Sequence, residues 1–184
     1  MFVEYIDTPL GLFEIMATDK GICQAIFCGD KVCVSDANGQ QHQGNAITAE
    51  CKQQLIEYFS GHRQNFTVPL DAKGTPFQQS VWDCLVNIPF GDVKSYGEIA
   101  KQINNPKGSQ AVGGANSRNP ISLIVPCHRV IGGNGSLTGY AGGIERKLWL
   151  LNHEGFAVNS STADIAKGVK NIIKTRQAKT QFLR

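Results

Sequence analysis

The sequence predicts an α+β protein: a small N-terminal domain of β-sheet and helix, then a mainly helical C-terminal domain with a helix-turn-helix and a cysteine set in an apolar segment. Three observations predict it. Near the N-terminus, alternating and apolar runs flank a short turn. Further on, apolar residues recur at helical spacing behind capping signals. Beyond these, an almost continuous apolar run carries Cys127, His128 and Arg129 in its middle.

In chain order, residues 12–17 and 22–28 are two strand-like runs separated by Asp19, Lys20 and Gly21, the pattern of a hairpin. A further run at 32–34 adds a strand, and a polar loop over 36–45 follows. Cys51, Leu55 and Phe59 fall at i, i+4 and i+8, one face of a helix that ends at Gly61. The texture changes after Gly74, so the reading divides the chain into an N-terminal α+β domain over 1–73, a helical domain over 74–156 and a basic tail over 157–184. Thr75, Pro76 and Gln78 supply an N-cap, a first-turn proline and a capping-box partner for the next helix, whose face holds Phe77, Val81 and Leu85. Ser95 and Glu98 form a second capping box ahead of Ile99 and Ile103, and a third helix runs from Ser109 to Asn116. Two short helices joined by a Pro- and Gly-containing turn read as a helix-turn-helix. In the tail, Ile165, Val169, Ile172 and Ile173 keep helical spacing among lysines.

With 184 residues, 41% hydrophobic and 18% charged, the chain can bury a core and has no apolar run long enough to span a membrane. Its start lacks the basic stretch and apolar run of a signal peptide, so a cytoplasmic location is expected, with the six cysteines as thiols. The net charge of +3 is unevenly spread. Residues 1–73 carry 5 basic against 9 acidic residues, 74–156 carry 7 against 5, and 157–184 carry 6 against 1. A basic C-terminal half suits a polyanionic partner and equally a solvated surface.

The chemistry concentrates at Pro126-Cys127-His128-Arg129-Val130. Burying an imidazole and a guanidinium costs several kcal/mol unless each finds partners. A nucleophilic Cys127 must react as thiolate, which requires a proton acceptor and a group to hold that acceptor. In an extended segment His128 points away from the Cys127 sulfur, so a bridging water or a bend after Pro126 is needed. Glu154, at a helix end, is a candidate holder. The same three residues also fit an inert thiol, a satisfied core histidine and an arginine anchoring carbonyls.

This motif resembles the active site of the O6-alkylguanine-DNA alkyltransferases, the methylated-DNA–protein-cysteine methyltransferases. The resemblance extends through Gly91-Asp92-Val93-Lys94-Ser95-Tyr96, Ala111-Val112-Gly113-Gly114-Ala115, Asn119-Pro120, Gly139-Tyr140-Ala141-Gly142-Gly143 and Lys147-Leu148-Trp149-Leu150-Leu151-Asn152-His153-Glu154-Gly155. It covers about residues 75–156; the N-terminal stretch is similar only in length and general pattern, and the tail has no identified counterpart.

The resemblance implies a DNA repair protein consumed by one transfer of the alkyl group from O6-alkylguanine to its own Cys127, with O4-alkylthymine as a further substrate the sequence leaves open. It makes His128 the base acting through a water, Glu154 its holder and Asn119 the support of the active-site turn. Tyr96 donates to the guanine ring, Tyr140 walls the pocket, and the Cys127 and Val130 carbonyls and the Ala141 amide read the base. The target is flipped out of duplex DNA. The third helix, with Gln110, Gly113 and Gly114, enters the minor groove, and Ser95 and Arg118 meet phosphates. Gln110 departs from the arginine that many members carry, and Ala141 from the serine of some. Some members bind zinc in the N-terminal domain, but Cys23, Cys28, Cys33 and His42 lack knuckle spacing, so neither metal nor cofactor is expected. A monomer is the default. Two alternatives stay open at this point: an alkyltransferase-like lesion-recognition protein, whose relatives lack the cysteine, and a cysteine hydrolase.

Overall fold

The computed structural model describes residues 1–29 and 43–156. The strand at 32–34, most of the polar loop, and the basic tail all lie outside the described residues, as do Cys33 and His42.

Three antiparallel strands, β1 (Phe2–Thr8), β2 (Gly11–Ala17) and β3 (Ile22–Phe27), form a meander in the order β1-β2-β3. The hairpin expected from the sequence is β2 and β3, with Phe13 opposite Phe27 and Ala17 opposite Ile22. Strand β1 is an addition to the sequence reading. Its buried residues, Val3 and Ile6, are three apart, and that spacing breaks the period of two by which a half-buried strand is recognised.

Helix α1 (Ala46–Phe59) starts at a capping box between Asn45 and Thr48 and packs on the sheet through Cys51, Leu55 and Tyr58. The expected face named Phe59 instead of Tyr58; a 3.6-residue period drifts back by one position over two turns, which puts Tyr58 at 0% exposure and leaves Phe59 partly buried.

The outer edge of β3 is paired twice with later chain. Ile22 exchanges backbone bonds with Pro69 and Asp71, and Ala25 exchanges them with Pro120 and Ser122. The segment leading to Cys127 is therefore an extension of the N-terminal sheet, and one continuous buried cluster runs from Phe13 and Ile15 through Leu55 and Tyr58 to Leu85, Ile99 and Ile121.

Helix α2 (Pro76–Val86) begins at Thr75, whose hydroxyl accepts from Gln78, with Pro76 at a position where no amide bond is lost. Its Trp82 indole donates to the Ala115 carbonyl at 3.0 Å, tying it to the later helices. The two-residue strand β4 (Lys94–Ser95) leads straight into α3 (Tyr96–Gln102), capped by Ser95 and Glu98. Asn104, in the left-handed region at φ 56°, turns the chain toward α4 (Ser109–Ser117), which packs against α3. A 3-10 turn over Cys127–Arg129 passes into β5 (Val130–Ile131), which pairs in parallel with β4, and α5 (Ile144–His153) closes the described chain.

Cys23, Cys51, Cys84 and Cys127 hold free thiols, but Cys28 is disulfide-bonded. The expectation of thiols throughout came from compartment alone, which says nothing of which cysteines lie close enough to bond.

Leu85 has no exposed surface and lies where α2 meets the shared core. Leu85→Ala should lower unfolding free energy by about 2–5 kcal/mol, read as a fall in the urea midpoint at unchanged slope.

Candidate active site

Two tight turns shape the segment before Cys127. The Ile124 amide bonds back to the Ser122 carbonyl at 2.9 Å around Leu123, whose φ of 71° is rare for a leucine. The Cys127 amide bonds back to the Val125 carbonyl at 2.8 Å around Pro126. Such backbone persists where neighbours over-determine it. Asn119 does so: its amide donates to the Val125 carbonyl at 2.8 Å and the Ile121 carbonyl at 3.3 Å, while its oxygen accepts from the Ile121 amide at 3.0 Å. These bonds fix both ends of the loop that presents Cys127.

The bend after Pro126 is thus present as a 3-10 turn, and it sends His128 inward with no exposed surface. His128 Nε2 lies 2.8 Å from Glu154 Oε1. An ionised carboxylate only accepts, so Nε2 is the protonated nitrogen, leaving Nδ1 as the acceptor. Nδ1 is buried and has no hydrogen-bond partner among the described residues. Burial pushes the imidazole below the usual histidine range, against the pull of Glu154. Near neutral pH the ring is therefore uncharged and able to take a proton.

Glu154 stands at the C-cap of α5. Burial alone would raise its carboxyl, but hydrogen bonds from His128 and Arg129 and their charges hold it well below the usual carboxylate range. Arg129 reaches it through Nε to Oε2 at 2.8 Å and Nη2 to Oε1 at 3.0 Å, and spends Nη1 on the Ile88 carbonyl at 2.6 Å. The Gly91 amide adds a longer bond to Oε2 at 3.4 Å. Gly91 sits at φ 81°, and a Cβ there would meet the Glu154 carbonyl at 3.0 Å, so this close approach suits glycine.

Cys127 is 4% exposed, and burial pushes its thiol up. Asn119, Lys147 and Ser122 pull the other way. In the resting protein Cys127 is a thiol, and a base is needed to make it a nucleophile.

Tyr96 and Tyr140 flank the cysteine. Tyr140 is buried beside Ser122 and Cys127, and burial keeps its phenol protonated. The Tyr96 hydroxyl donates to the Thr138 carbonyl at 2.9 Å, and burial likewise raises it. A Cβ on Gly139, at φ 66°, would come within 2.9 Å of that hydroxyl. Val130 is fully buried and pairs with Lys94, while Ala141 is exposed on the loop before α5.

The residues expected to contact DNA lie on α4, at its C-cap, and at the N-cap of α3 next to Tyr96. Gln110 and Arg118 are exposed and, with Gly114, line one open cleft bounded by Thr75, Phe77 and Gln78. Arg118 caps its own helix through a bond to the Gly114 carbonyl at 3.1 Å. A Cβ on Gly113 would meet the Tyr96 ring at 3.8 Å, an ordinary van der Waals contact. Ser95 uses its hydroxyl within the capping box of α3.

Three residues escaped the sequence reading. Lys147 is fully buried, and its ammonium donates to the Val130 carbonyl and, at 2.8 Å, to the Thr138 carbonyl. It joins the strand that follows the cysteine turn to the loop that carries Thr138. Desolvation brings it down to about 8, with the Cys127 charge opposing that fall. Its place was readable, since Lys147 lies four residues before the buried Leu151 on one helix face. Asn116 donates to the Cys127 carbonyl at 3.3 Å, and Tyr58 donates to Glu154 Oε1 at 2.7 Å. No pattern in the chain pairs these residues with their partners.

Two family models match the chain. Residues 1–72 match the model of the "6-O-methylguanine DNA methyltransferase, ribonuclease-like domain", and residues 76–156 match that of the "6-O-methylguanine DNA methyltransferase, DNA binding domain". A methylated-DNA–protein-cysteine methyltransferase of Methanosarcina acetivorans is 44% identical, over 84% of this chain and 99% of its own. The constitutive methyltransferase of that name from Bacillus subtilis is 46% identical, over 80% and 92%. Among solved structures, Mycobacterium tuberculosis OGT in complex with DNA is 41% identical with a TM-score of 0.74, covering 84% of this chain and 92% of that one.

Glu154→Gln would leave the Arg129 guanidinium, with 6% of its side chain exposed, without its counter-charge. The loss should be about 3–5 kcal/mol at neutral pH. Because the folded carboxyl is held below its unfolded value, its contribution is present above about pH 4.3 and declines as pH falls. Urea midpoints at pH 7 and pH 3 should therefore separate the wild type from the variant more at the higher pH.

Proposed function

Because the chain belongs to the 6-O-methylguanine DNA methyltransferase family, we infer that it repairs duplex DNA by moving the alkyl group of O6-alkylguanine irreversibly onto its own Cys127. One protein is consumed per lesion. The observation that supports the assignment of residues is the buried His128–Glu154 pair directly after Cys127 in the chain, with the Nε2 proton committed to Glu154 and Nδ1 free to accept.

His128 Nδ1 takes the Cys127 proton through a bridging water, and the imidazolium that forms is stabilised by Glu154. The thiolate attacks the alkyl carbon in line with the carbon–oxygen bond. A sulfur–carbon bond forms, the carbon–O6 bond breaks, and its electron pair stays on the base. Tyr96, whose phenol remains protonated, donates to the ring as this charge develops, which lowers the barrier. Guanine is restored on protonation, and the thioether product has no route back.

The carbonyls of Cys127 and Val130 accept from the exocyclic amine, the Ala141 amide faces O6, and Tyr140 walls the pocket. Lys147 holds the Val130 carbonyl and the Thr138 carbonyl together, so it keeps the pocket at a fixed width. Asn119 keeps the cysteine turn in shape.

The base reaches this pocket by flipping, at a cost of a few kcal/mol. Helix α4 enters the minor groove, where Gly113 and Gly114 allow close approach of backbone to DNA. Gln110 fills the gap left by the base and hydrogen-bonds to its orphaned partner; Ser95 and Arg118 meet phosphates. The protein acts at the lesion as a monomer in the cytoplasm.

Intact mass after mixing with duplex DNA containing O6-methylguanine tests the central step. One added methyl per protein, mapped to Cys127 and absent from Cys127→Ser, is expected; lesion binding without a mass gain would instead mean recognition without transfer. A second expectation concerns the groove. Gln110→Arg adds a positive charge beside the phosphates and should raise the transfer rate on duplex DNA by on the order of tenfold, with little change on a short single strand.

A further inference from the structure

Among the described residues, a hydrogen bond ties the N-terminal half to Glu154. Tyr58, on α1, has no exposed surface, and its hydroxyl donates to Glu154 Oε1 at 2.7 Å. That oxygen is the one that receives His128 Nε2. A return bond joins the same two helices, from His153 Nε2 to the Tyr58 carbonyl at 2.8 Å. The tyrosine ring is clamped edge-on against Phe59, Phe90 and His153 and tilted against Phe66, so the hydroxyl has one place to point.

We propose that Tyr58 is a positioning residue for alkyl transfer: its hydroxyl fixes the Glu154 carboxylate that holds His128, and so couples the N-terminal domain to proton removal from Cys127. The proposal rests on the reading of Cys127, His128 and Glu154 as nucleophile, base and holder. The packing needs only the ring. An aromatic core position is filled as well by phenylalanine, and a buried hydroxyl is retained only if its hydrogen bond is made.

The groups facing this carboxylate are Tyr58 from α1, His128 and Arg129 from the 3-10 turn, and the Gly91 amide from the loop after α2. Those facing His128 are Glu154, Arg129 and, from α5, Lys147. Burial and then the charge of Glu154 raise the Tyr58 phenol well above its usual range, so it remains a donor across the pH range of the test. Each donor on Oε1 draws charge out of the carboxylate. Removing one leaves Glu154 a stronger partner for the imidazolium, so the His128 proton is held up to higher pH.

The test is single-turnover methyl transfer from O6-methylguanine duplex DNA, measured from about pH 5.5 to 9, for wild type, Tyr58→Phe and His128→Gln. Tyr58→Phe should transfer about 3- to 10-fold more slowly at neutral pH, and the midpoint of its acid limb should move up by about half a unit, with lesion-DNA affinity unchanged. Replacing Tyr58 by 3-fluorotyrosine, a stronger donor of the same shape, should move the midpoint down. If His128→Gln is slow while Tyr58→Phe and the fluorinated protein keep the wild-type midpoint, the hydroxyl does not act on the base and the proposal is overturned. A slower Tyr58→Phe with an unmoved midpoint overturns it too, since loosened packing would do that. Wild-type transfer by His128→Gln would instead overturn the underlying reading of the catalytic line.

Discussion

The Glu154 carboxylate is the constraint around which the molecule is arranged. It accepts from His128, from Arg129 through two nitrogens, from Tyr58 and from the Gly91 amide. Those donors come from α1, from the loop after α2 and from the turn that carries the cysteine, while Glu154 itself ends α5. A buried carboxylate is tolerated only with its donors in place. The position of each element is therefore tied to the charge state of one group, and that group is also the holder of the candidate base. Packing and chemistry are joined here because the same oxygen serves both.

Around this centre, the reactive segment is kept from relaxing. Leu123 holds an uncommon backbone conformation, Asn119 bridges the segment from inside, and β4 pairs with β5 directly after the turn. On the far side Pro120 and Ser122 bond to Ala25 in the N-terminal sheet. For a candidate nucleophile, a rigidly held turn lowers the reorganisation needed at the moment of reaction. The cysteine itself is buried.

Much of this was legible from local pattern, and the limits have physical causes. Capping boxes at Thr75 and Ser95 marked helix starts to the residue, because the groups that satisfy a helix end are close in sequence. The pairing of His128 with Glu154 was legible through the family motif, and the bend after Pro126 as one of two geometric solutions, the other being a bridging water. Strand β1 was missed because Val3 and Ile6 do not alternate. Tyr58 and Lys147 were missed as site residues because their partners are carbonyl or carboxylate oxygens brought close only by tertiary packing. A tyrosine on the buried face of a helix reads as core from sequence alone, and nothing local distinguishes one whose hydroxyl ends at a buried carboxylate.

The double pairing along β3 also governs how the chain is made. Until Pro69 and Asp71, and later Pro120 and Ser122, have left the ribosome, the outer edge of this strand presents bare amides and carbonyls. During synthesis the N-terminal meander is an incomplete sheet with a sticky margin, and contacts so distant in sequence form slowly. The stretch that seals it is the same one that shapes the cysteine turn. Completion of the sheet and the shaping of the cysteine turn therefore draw on the same stretch of chain, and a chain halted before Pro120 lacks both.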